Sequence, residues 1–98
     1  MTRSIRIRQE AEDDLSEAYS WFSGQVQGLG DDFLAEVDRA LAIVAEFPEK
    51  CALIHKQARR ALVRRFPYGV FYVVEPNEVV VLAVLHLARD PELWKERT

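Results

Sequence analysis

The sequence predicts an α+β protein in which a helical hairpin packs on one face of a mostly antiparallel sheet. Two observations carry this prediction. Apolar residues recur with the period of a helix from Gln9 to Phe47, whereas after Pro48 they follow the two-residue period of strands. Helices that precede a run of strands are typical of α+β proteins. The predicted order is strand, helix, helix, strand, strand, strand and a short C-terminal helix.

The first three elements are predicted in the N-terminal half. In the opening SIRIR, isoleucine alternates with arginine, as in a half-buried strand. A first helix begins at Gln9 and ends near Ser23–Gly24, and a second extends from about Asp31 to Phe47, before Pro48. Their apolar stripes are formed by Ala11, Leu15, Ala18 and Phe22, and by Phe33, Val37, Leu41 and Val44. The short glycine-containing loop between them predicts an antiparallel hairpin.

Three strands and a short helix are predicted after Pro48. Ala58–Phe66 has mixed faces, while Val70–Glu75 and Glu78–His86 are rich in β-branched and aromatic residues and flank a Pro–Asn turn. The last strand is almost continuously apolar, so we expect it to be covered on both faces inside the sheet. Asp90–Pro91–Glu92 has the residue order of a helix start.

Composition limits the class of protein. With 98 residues, 49% apolar and 30% charged, the chain is predicted to form one domain over residues 1–98. The longest apolar run, VVVLAVL, is far shorter than the roughly 20 residues that cross a membrane. The N-terminus lacks the apolar stretch of a secretory signal, and Cys51 is the single cysteine. We therefore expect a cytoplasmic protein that contacts no membrane and holds neither a metal nor another cofactor.

The charge is divided unevenly along the chain. Residues 1–50 carry a net charge of -6 and residues 51–98 a net charge of +3. A ten-residue basic window without any acid contributes most of this positive charge: Lys56, Arg59, Arg60, Arg64 and Arg65. Such asymmetry is compatible with a polyanionic partner for one face of the protein, but charge alone favours a solvated basic strand beside an acidic helical layer.

The C-terminal half resembles a known family. The segment RRFPYGVFYVVEPNEVVVLAVLHLARDPELWKER combines a basic strand that ends in RRFPYGVFY, an acidic tip, an apolar strand that ends in LAVLH, and ARDPELW. These features, with the element order and the length, resemble the ParE/RelE superfamily of toxins from bacterial type II toxin–antitoxin modules, often called plasmid stabilisation proteins. The resemblance implies a growth-inhibiting toxin that is neutralised by an antitoxin encoded beside it.

Two branches of the superfamily imply different targets. RelE-like members are ribosome-dependent mRNA endonucleases, whereas ParE-like members act on DNA gyrase without known hydrolytic chemistry. Where RelE-like proteins carry an arginine before the tyrosine that matches Tyr72, this chain has Gly69, and their later arginine falls near Leu87. Their lysine pair has no clear match either. The ParE-like branch is therefore favoured, and the resemblance implies gyrase and a cognate antitoxin as partners.

Two alternatives stay open at this point. If the protein is a nuclease acting on the ribosome and mRNA, the candidate catalytic residues are Arg64, Arg65, His86 and Arg89. The other alternative is a degenerate toxin that only binds its antitoxin. For His86, the competing interpretation is a strand-end histidine bonded to backbone or to a carboxylate.

The antitoxin is expected on an apolar strip beside basic residues. The candidate partner-binding residues are Lys56, Arg59, Arg60, Trp21 and Trp94. Trp94 has a competing interpretation as the anchor of the C-terminal helix on the sheet.

Overall fold

The computed structural model describes residues 2–98 and has the predicted α+β order with one additional strand. The elements are β1 (Ser4–Ile7), α1 (Gln9–Gln25), α2 (Leu29–Glu46), β2 (Leu53–His55), β3 (Ala58–Leu62), β4 (Tyr68–Val74), β5 (Glu78–His86) and α3 (Glu92–Lys95). The five strands form one sheet in the order β1-β5-β4-β3-β2. β1 pairs with β5 in parallel and every other pair is antiparallel, so the mostly antiparallel sheet is confirmed. No helix within residues 2–98 is long and apolar enough to cross a membrane.

The helical hairpin and α3 cover opposite faces of the sheet. α1 and α2 pack against alternate residues of the central strands and form the main core with them. This core includes Phe33 and Val37 of α2 and the strand residues Val70, Tyr72, Val79 and Val81. On the other face, Trp94 of α3 stacks on Phe71 with a ring separation of 4.8 Å. β5 is buried from Val79 to Leu85, because it lies between β1 and β4 and has helices on both faces.

The helix boundaries differ slightly from the predicted ones. α1 continues through Gly24 to Gln25, and α2 begins at Leu29 because Gly28 makes the turn with a φ of 84°. Glycine adopts this left-handed conformation without steric cost. Gly30 lies inside α2 and faces α1, so only one of the three loop glycines forms the turn.

The strand Ala58–Phe66 was predicted too long, because the chain turns after Leu62. Arg64 and Arg65 lie in the β3–β4 turn, where Arg65 has a φ of 71°. Consequently Phe66 packs in the helix-side core between Phe22 and Phe33, at ring separations of 5.0 and 5.2 Å. Arg64 and Arg65 therefore lie outside the strand in which the sequence placed them.

Candidate partner-binding surfaces

The first candidate surface is a pocket of about 180 Å³ between α1 and the end of β5, which we call the α1–β5 cleft. Its lining combines acidic, aromatic and basic side chains: Asp14, Glu17, Ala18, Trp21, Tyr68, Val84, Leu85, His86 and Arg89. Three candidates from the sequence, Trp21, His86 and Arg89, are thereby brought together. Arg64 and Arg65 do not line it, so the four nuclease candidates do not form one constellation.

His86 presents one defined nitrogen to this cleft. Its Nδ1 accepts a hydrogen bond from the backbone N–H of Ala88 at 2.9 Å, so the neutral ring carries its proton on Nε2. The ring lies edge-on to Tyr68, with 5.4 Å between the centroids. His86 is thus bonded to the backbone, as in the competing interpretation of the sequence. The group that it presents to the cleft is the Nε2–H donor.

Tyr68 and Arg89 supply further donors to the cleft. Burial raises the pKa of the Tyr68 hydroxyl, with Arg89 acting against this shift and Glu17 adding to it. The phenol is therefore neutral at physiological pH and can donate its proton. Within residues 2–98, no carboxylate lies within 4.0 Å of the Arg89 guanidinium.

Arg64 and Arg65 lie in solvent at the β3–β4 turn. The Arg65 guanidinium is 4.0 Å from a carboxylate oxygen of Asp32 and 5.8 Å from the ring centre of Phe66. Both partners of this ion pair are more than half exposed, so we assign it little energy.

The second candidate surface lies on β2 and β3 and carries part of the basic window. We define this β2–β3 surface by Lys56, Arg59 and Arg60 with the exposed Leu62. Leu53 is exposed as well, but it is opposite Arg59 and therefore lies on the other sheet face from Arg60 and Leu62. Lys56 lies at the β2–β3 turn with a φ of 51°. Arg60 is opposite Phe71, and Leu62 lies on the same strand face as Arg60. Basic and apolar side chains are therefore adjacent here.

Arg59 differs from the other two basic residues because its guanidinium is already bonded. It donates to the backbone carbonyls of Glu49 and Cys51, and Arg59 is only partly exposed. This residue stabilises the α2–β2 connection. Within residues 2–98, no carboxylate lies within 4.0 Å of Lys56 or Arg60, the other two cations of the β2–β3 surface.

Of the two tryptophans, Trp94 borders the β2–β3 surface, with its ring 5.9 Å from that of His55 in β2, whereas Trp21 lies elsewhere. Trp21 lies at the α1–β5 cleft and is 60% exposed. Trp94 stacks on Phe71, as an anchor of α3 would.

Gly69 is covered by a neighbouring side chain. A Cβ added at this glycine would lie 3.0 Å from both Cγ and Cδ of Arg60 and 3.3 Å from a methyl carbon of Leu87. The stem of Arg60 thus occupies the space next to Gly69, and any larger residue there would have to displace it.

Two buried polar side chains were not identified from the sequence. Asp14 lies inside the α1 stripe and bonds Arg97, a contact between residues far apart in the chain. The Tyr72 hydroxyl donates to the carbonyl of Pro48 at 2.7 Å, and burial raises its pKa, with a further increase from Cys51. Within the described residues, no group of histidine, cysteine and carboxylate side chains could hold a metal ion.

The arrangement of the elements defines a class of protein. The chain has the fold of a solved chain described as "Chromosomal ParDE TA system from P. aeruginosa", with a TM-score of 0.76 over 87% of this chain and 96% of the other, at 13% identity. Sequence comparison gives the family. The family model described as "ParE toxin of type II toxin-antitoxin system, parDE" matches residues 5–91.

Individual relatives agree with this family. The protein called Toxin ParE2 in two strains of Mycobacterium tuberculosis is 32% identical over 95 residues, which is 93% of this chain and 88% of the relative. The chain therefore belongs to the ParE toxin family of type II toxin–antitoxin systems, and the ParE-like interpretation of the sequence is confirmed.

Proposed function

We propose that this toxin inhibits DNA gyrase in the cytoplasm through protein contacts and that a cognate antitoxin neutralises it at the β2–β3 surface. The observation that carries the first part is the environment of Gly69. Where RelE-like nucleases place an arginine, this chain has a glycine covered by the stem of Arg60. Membership of the ParE family is consistent with a mode of action that needs no hydrolysis.

The chemistry of RNA cleavage supports the same conclusion. Cleavage through a 2′-hydroxyl requires a base, a proton donor to the leaving oxygen and cations that stabilise the charge on phosphorus. In the α1–β5 cleft, His86 uses Nδ1 to accept a backbone N–H. Arg89 is the only lysine or arginine among the described residues that line this cleft. A single arginine, and a histidine whose Nδ1 is already bonded, match the groups that this reaction requires poorly.

The β2–β3 surface supports the second part of the proposal. Lys56 and Arg60 provide positive charge, while Leu62, on the same strand face as Arg60, is 61% exposed. An antitoxin segment with acidic and apolar residues complements this pattern, and a disordered segment gains order as it binds.

The nuclease alternative has one observation in its favour. His86 and Arg89 line the same cleft as Tyr68, so a histidine, an arginine and a phenol are close together. The degenerate-toxin alternative instead predicts that the chain binds an antitoxin without inhibiting growth.

Expression of the toxin alone in a bacterial host distinguishes these functions. We expect growth arrest with induction of the DNA-damage response and with intact messenger RNA, and rescue when the antitoxin is co-expressed. Cleavage of translated messages that disappears in a His86→Ala variant would contradict the proposal and establish the nuclease. Unimpaired growth at full expression would indicate the degenerate toxin.

A further inference from the structure

A second, wider hollow adjoins the α1–β5 cleft, and we call it the Trp21 pocket. It has a volume of about 490 Å³ and is lined by Trp21, Phe22, Pro67, Tyr68, His86 and Arg89. Aromatic rings follow one another along its wall, because the Trp21 and Phe22 rings are 5.2 Å apart and the Phe22 and Tyr68 rings are 5.7 Å apart. A hollow of this size with aromatic walls suits an apolar side chain.

The exposed face of α1 that leads to the Trp21 pocket is acidic. Glu10, Asp13 and Glu17 are three or four residues apart and lie in line with Trp21, and the last two line a shallow depression with it. Within residues 2–98, no cation lies within 4.0 Å of Asp13 or Glu17, and Arg89 is the one cation of the pocket lining. These acids repel a nucleic acid or an acidic segment, and they favour an apolar side chain that arrives with basic neighbours.

The β2–β3 surface presents such a side chain. Leu62 is opposite Gly69, which has no side chain to cover it, and it lies on the same strand face as Arg60. The exposed Arg64 follows in the β3–β4 turn. Within residues 2–98, no carboxylate lies within 4.0 Å of either arginine. Leu62 and Trp21 are the most exposed large apolar side chains of this part of the chain, at 61% and 60%.

The leucine and the pocket lie on opposite faces of the sheet. Leu62 and Arg60 share the face of Phe71, which Trp94 of α3 covers. The Trp21 pocket lies on the face of the helical hairpin, because Phe22 and Tyr68 of its lining belong to or pack against the main core. Leu62 therefore cannot reach the pocket of its own chain. A contact between two copies leaves one leucine and one pocket free, so it can continue from copy to copy.

We propose that the free toxin associates head-to-tail, with Leu62 of one copy in the Trp21 pocket of a second copy. The two arginines beside that leucine then face the acids of α1 in the receiving copy. The uneven charge of the chain favours this occupant, since residues 1–50 carry a net charge of -6 and residues 51–98 a net charge of +3. Because the whole chain is negative, copies attract one another only in this orientation.

Two variants, each altered on one side of the contact, test the orientation by sedimentation equilibrium of the purified toxin. The wild type should gain mass as its concentration rises from about 10 µM to about 1 mM. Trp21→Ala removes a wall of the pocket and Leu62→Asp removes the leucine, so each variant alone should associate about tenfold or more weakly. An equimolar mixture should form dimers and nothing larger, because the intact leucine of one variant enters the intact pocket of the other.

Matched controls and a second pocket variant complete this experiment. Ile43→Ala and Leu53→Asp change side chains that are 55% and 49% exposed on other surfaces, and both proteins should associate as the wild type does. Glu17→Arg keeps the indole and reverses one charge, so it should also weaken association while the melting temperature stays unchanged. A wild type that is monomeric at about 1 mM, a mixture that stays monomeric, or either side's variant associating as strongly as the wild type would overturn the inference.

The antitoxin and a second copy should exclude each other, because both use Leu62. This consequence rests on the proposed function, which assigns the antitoxin to the β2–β3 surface. Immobilised Leu62→Asp protein should retain Trp21→Ala protein, and the antitoxin should elute it. No retention would overturn the head-to-tail contact. Retention that persists at saturating antitoxin would overturn the proposed antitoxin surface and leave the head-to-tail contact supported.

Discussion

At the scale of single residues, the buried carboxylate of Asp14 joins three distant parts of the chain. It accepts from the Val84 N–H at 3.0 Å and from Arg97 at 2.7 Å, while Arg97 also donates to the Leu82 carbonyl at 3.1 Å. Arg8 donates to the Arg97 carbonyl at 3.0 Å. The C-terminus is thereby fixed against α1 and β5, because these buried donors and acceptors are hydrogen-bonded to one another.

Loss of Arg97 should therefore be costly. The Asp14 and Arg97 side chains are only 6% and 20% exposed, so Arg97→Ala leaves a buried carboxylate without its charged partner. We expect a loss of about 3 kcal/mol in the free energy of unfolding measured by urea denaturation. The control Lys95→Ala removes a cation that lies 3.9 Å from the exposed Glu92 and should cost less than about 1 kcal/mol. Equal losses in both variants would show that the buried Asp14–Arg97 pair contributes no more stability than an exposed ion pair.

Tyr72 makes stability depend on pH in the alkaline range. Its pKa is raised above the ordinary value of 10.0 by burial, so the folded protein keeps the hydroxyl neutral while the unfolded chain ionises. This stabilisation is complete below about pH 10 and decreases at higher pH, by up to about 1.4 kcal/mol per pH unit.

Tyr72→Phe separates this effect from general alkaline unfolding. At neutral pH we expect a loss of about 1–2 kcal/mol, because the buried Pro48 carbonyl loses its donor. Between about pH 9 and about pH 11, the unfolding free energy of Tyr72→Phe should fall less steeply than that of the wild type. Parallel curves for the two proteins would show that Tyr72 ionises equally in both states.

At the scale of secondary structure elements, the helical hairpin depends on one close contact. A Cβ at Gly30 of α2 would lie 2.8 Å from the Tyr19 carbonyl of α1 and even closer to the Ser23 hydroxyl. Nothing lies within 4 Å of the corresponding position at Gly24. The two glycines therefore have different roles, although they lie in the same short stretch of sequence.

Alanine substitutions at the two glycines should have opposite effects. Gly30→Ala forces α1 and α2 apart and should destabilise the protein by about 1–3 kcal/mol. Gly24→Ala removes a flexible residue from α1 and should stabilise it by up to about 1 kcal/mol. Melting temperatures of the two variants test this, and an increase in both would mean that the helices do not meet at Gly30.

Periodicity predicted the long elements, and local geometry limited the prediction of the short ones. The α1 and α2 stripes and the apolar run of β5 repeat over enough residues to define a face. β2 has three residues and borders the sheet, so burial imposes little pattern on it. The β3 boundary was wrong because Arg65 adopts a left-handed conformation that composition does not indicate.

The candidate site was predictable only in its parts. Trp21, His86 and Arg89 were identified from the sequence, but their convergence depends on the fold of α1 against β5. The Asp14–Arg97 pair joins residues that are 83 positions apart, and such long-range pairing has no local signal.

At the scale of the whole molecule, the β2–β3 surface presents two positive charges, those of Lys56 and Arg60. Lys56 and Arg60 on the β2–β3 surface should steer an acidic antitoxin, so reversal of both charges should slow association about tenfold at low salt. Rates for wild type and variant should converge as salt screens these charges. Arg64→Glu with Arg65→Glu changes the net charge equally and serves as the control. Arg59 is left intact because it bonds two backbone carbonyls. Equal effects of both double variants would indicate net charge alone.

The most direct measurement is the supercoiling of relaxed plasmid by purified gyrase in the presence of increasing toxin. We expect inhibition that depends on toxin concentration, is reversed by the antitoxin, and occurs while translated messenger RNA in a parallel reaction stays intact. Undiminished supercoiling at a large excess of folded toxin, together with cleavage of the translated message, would contradict it.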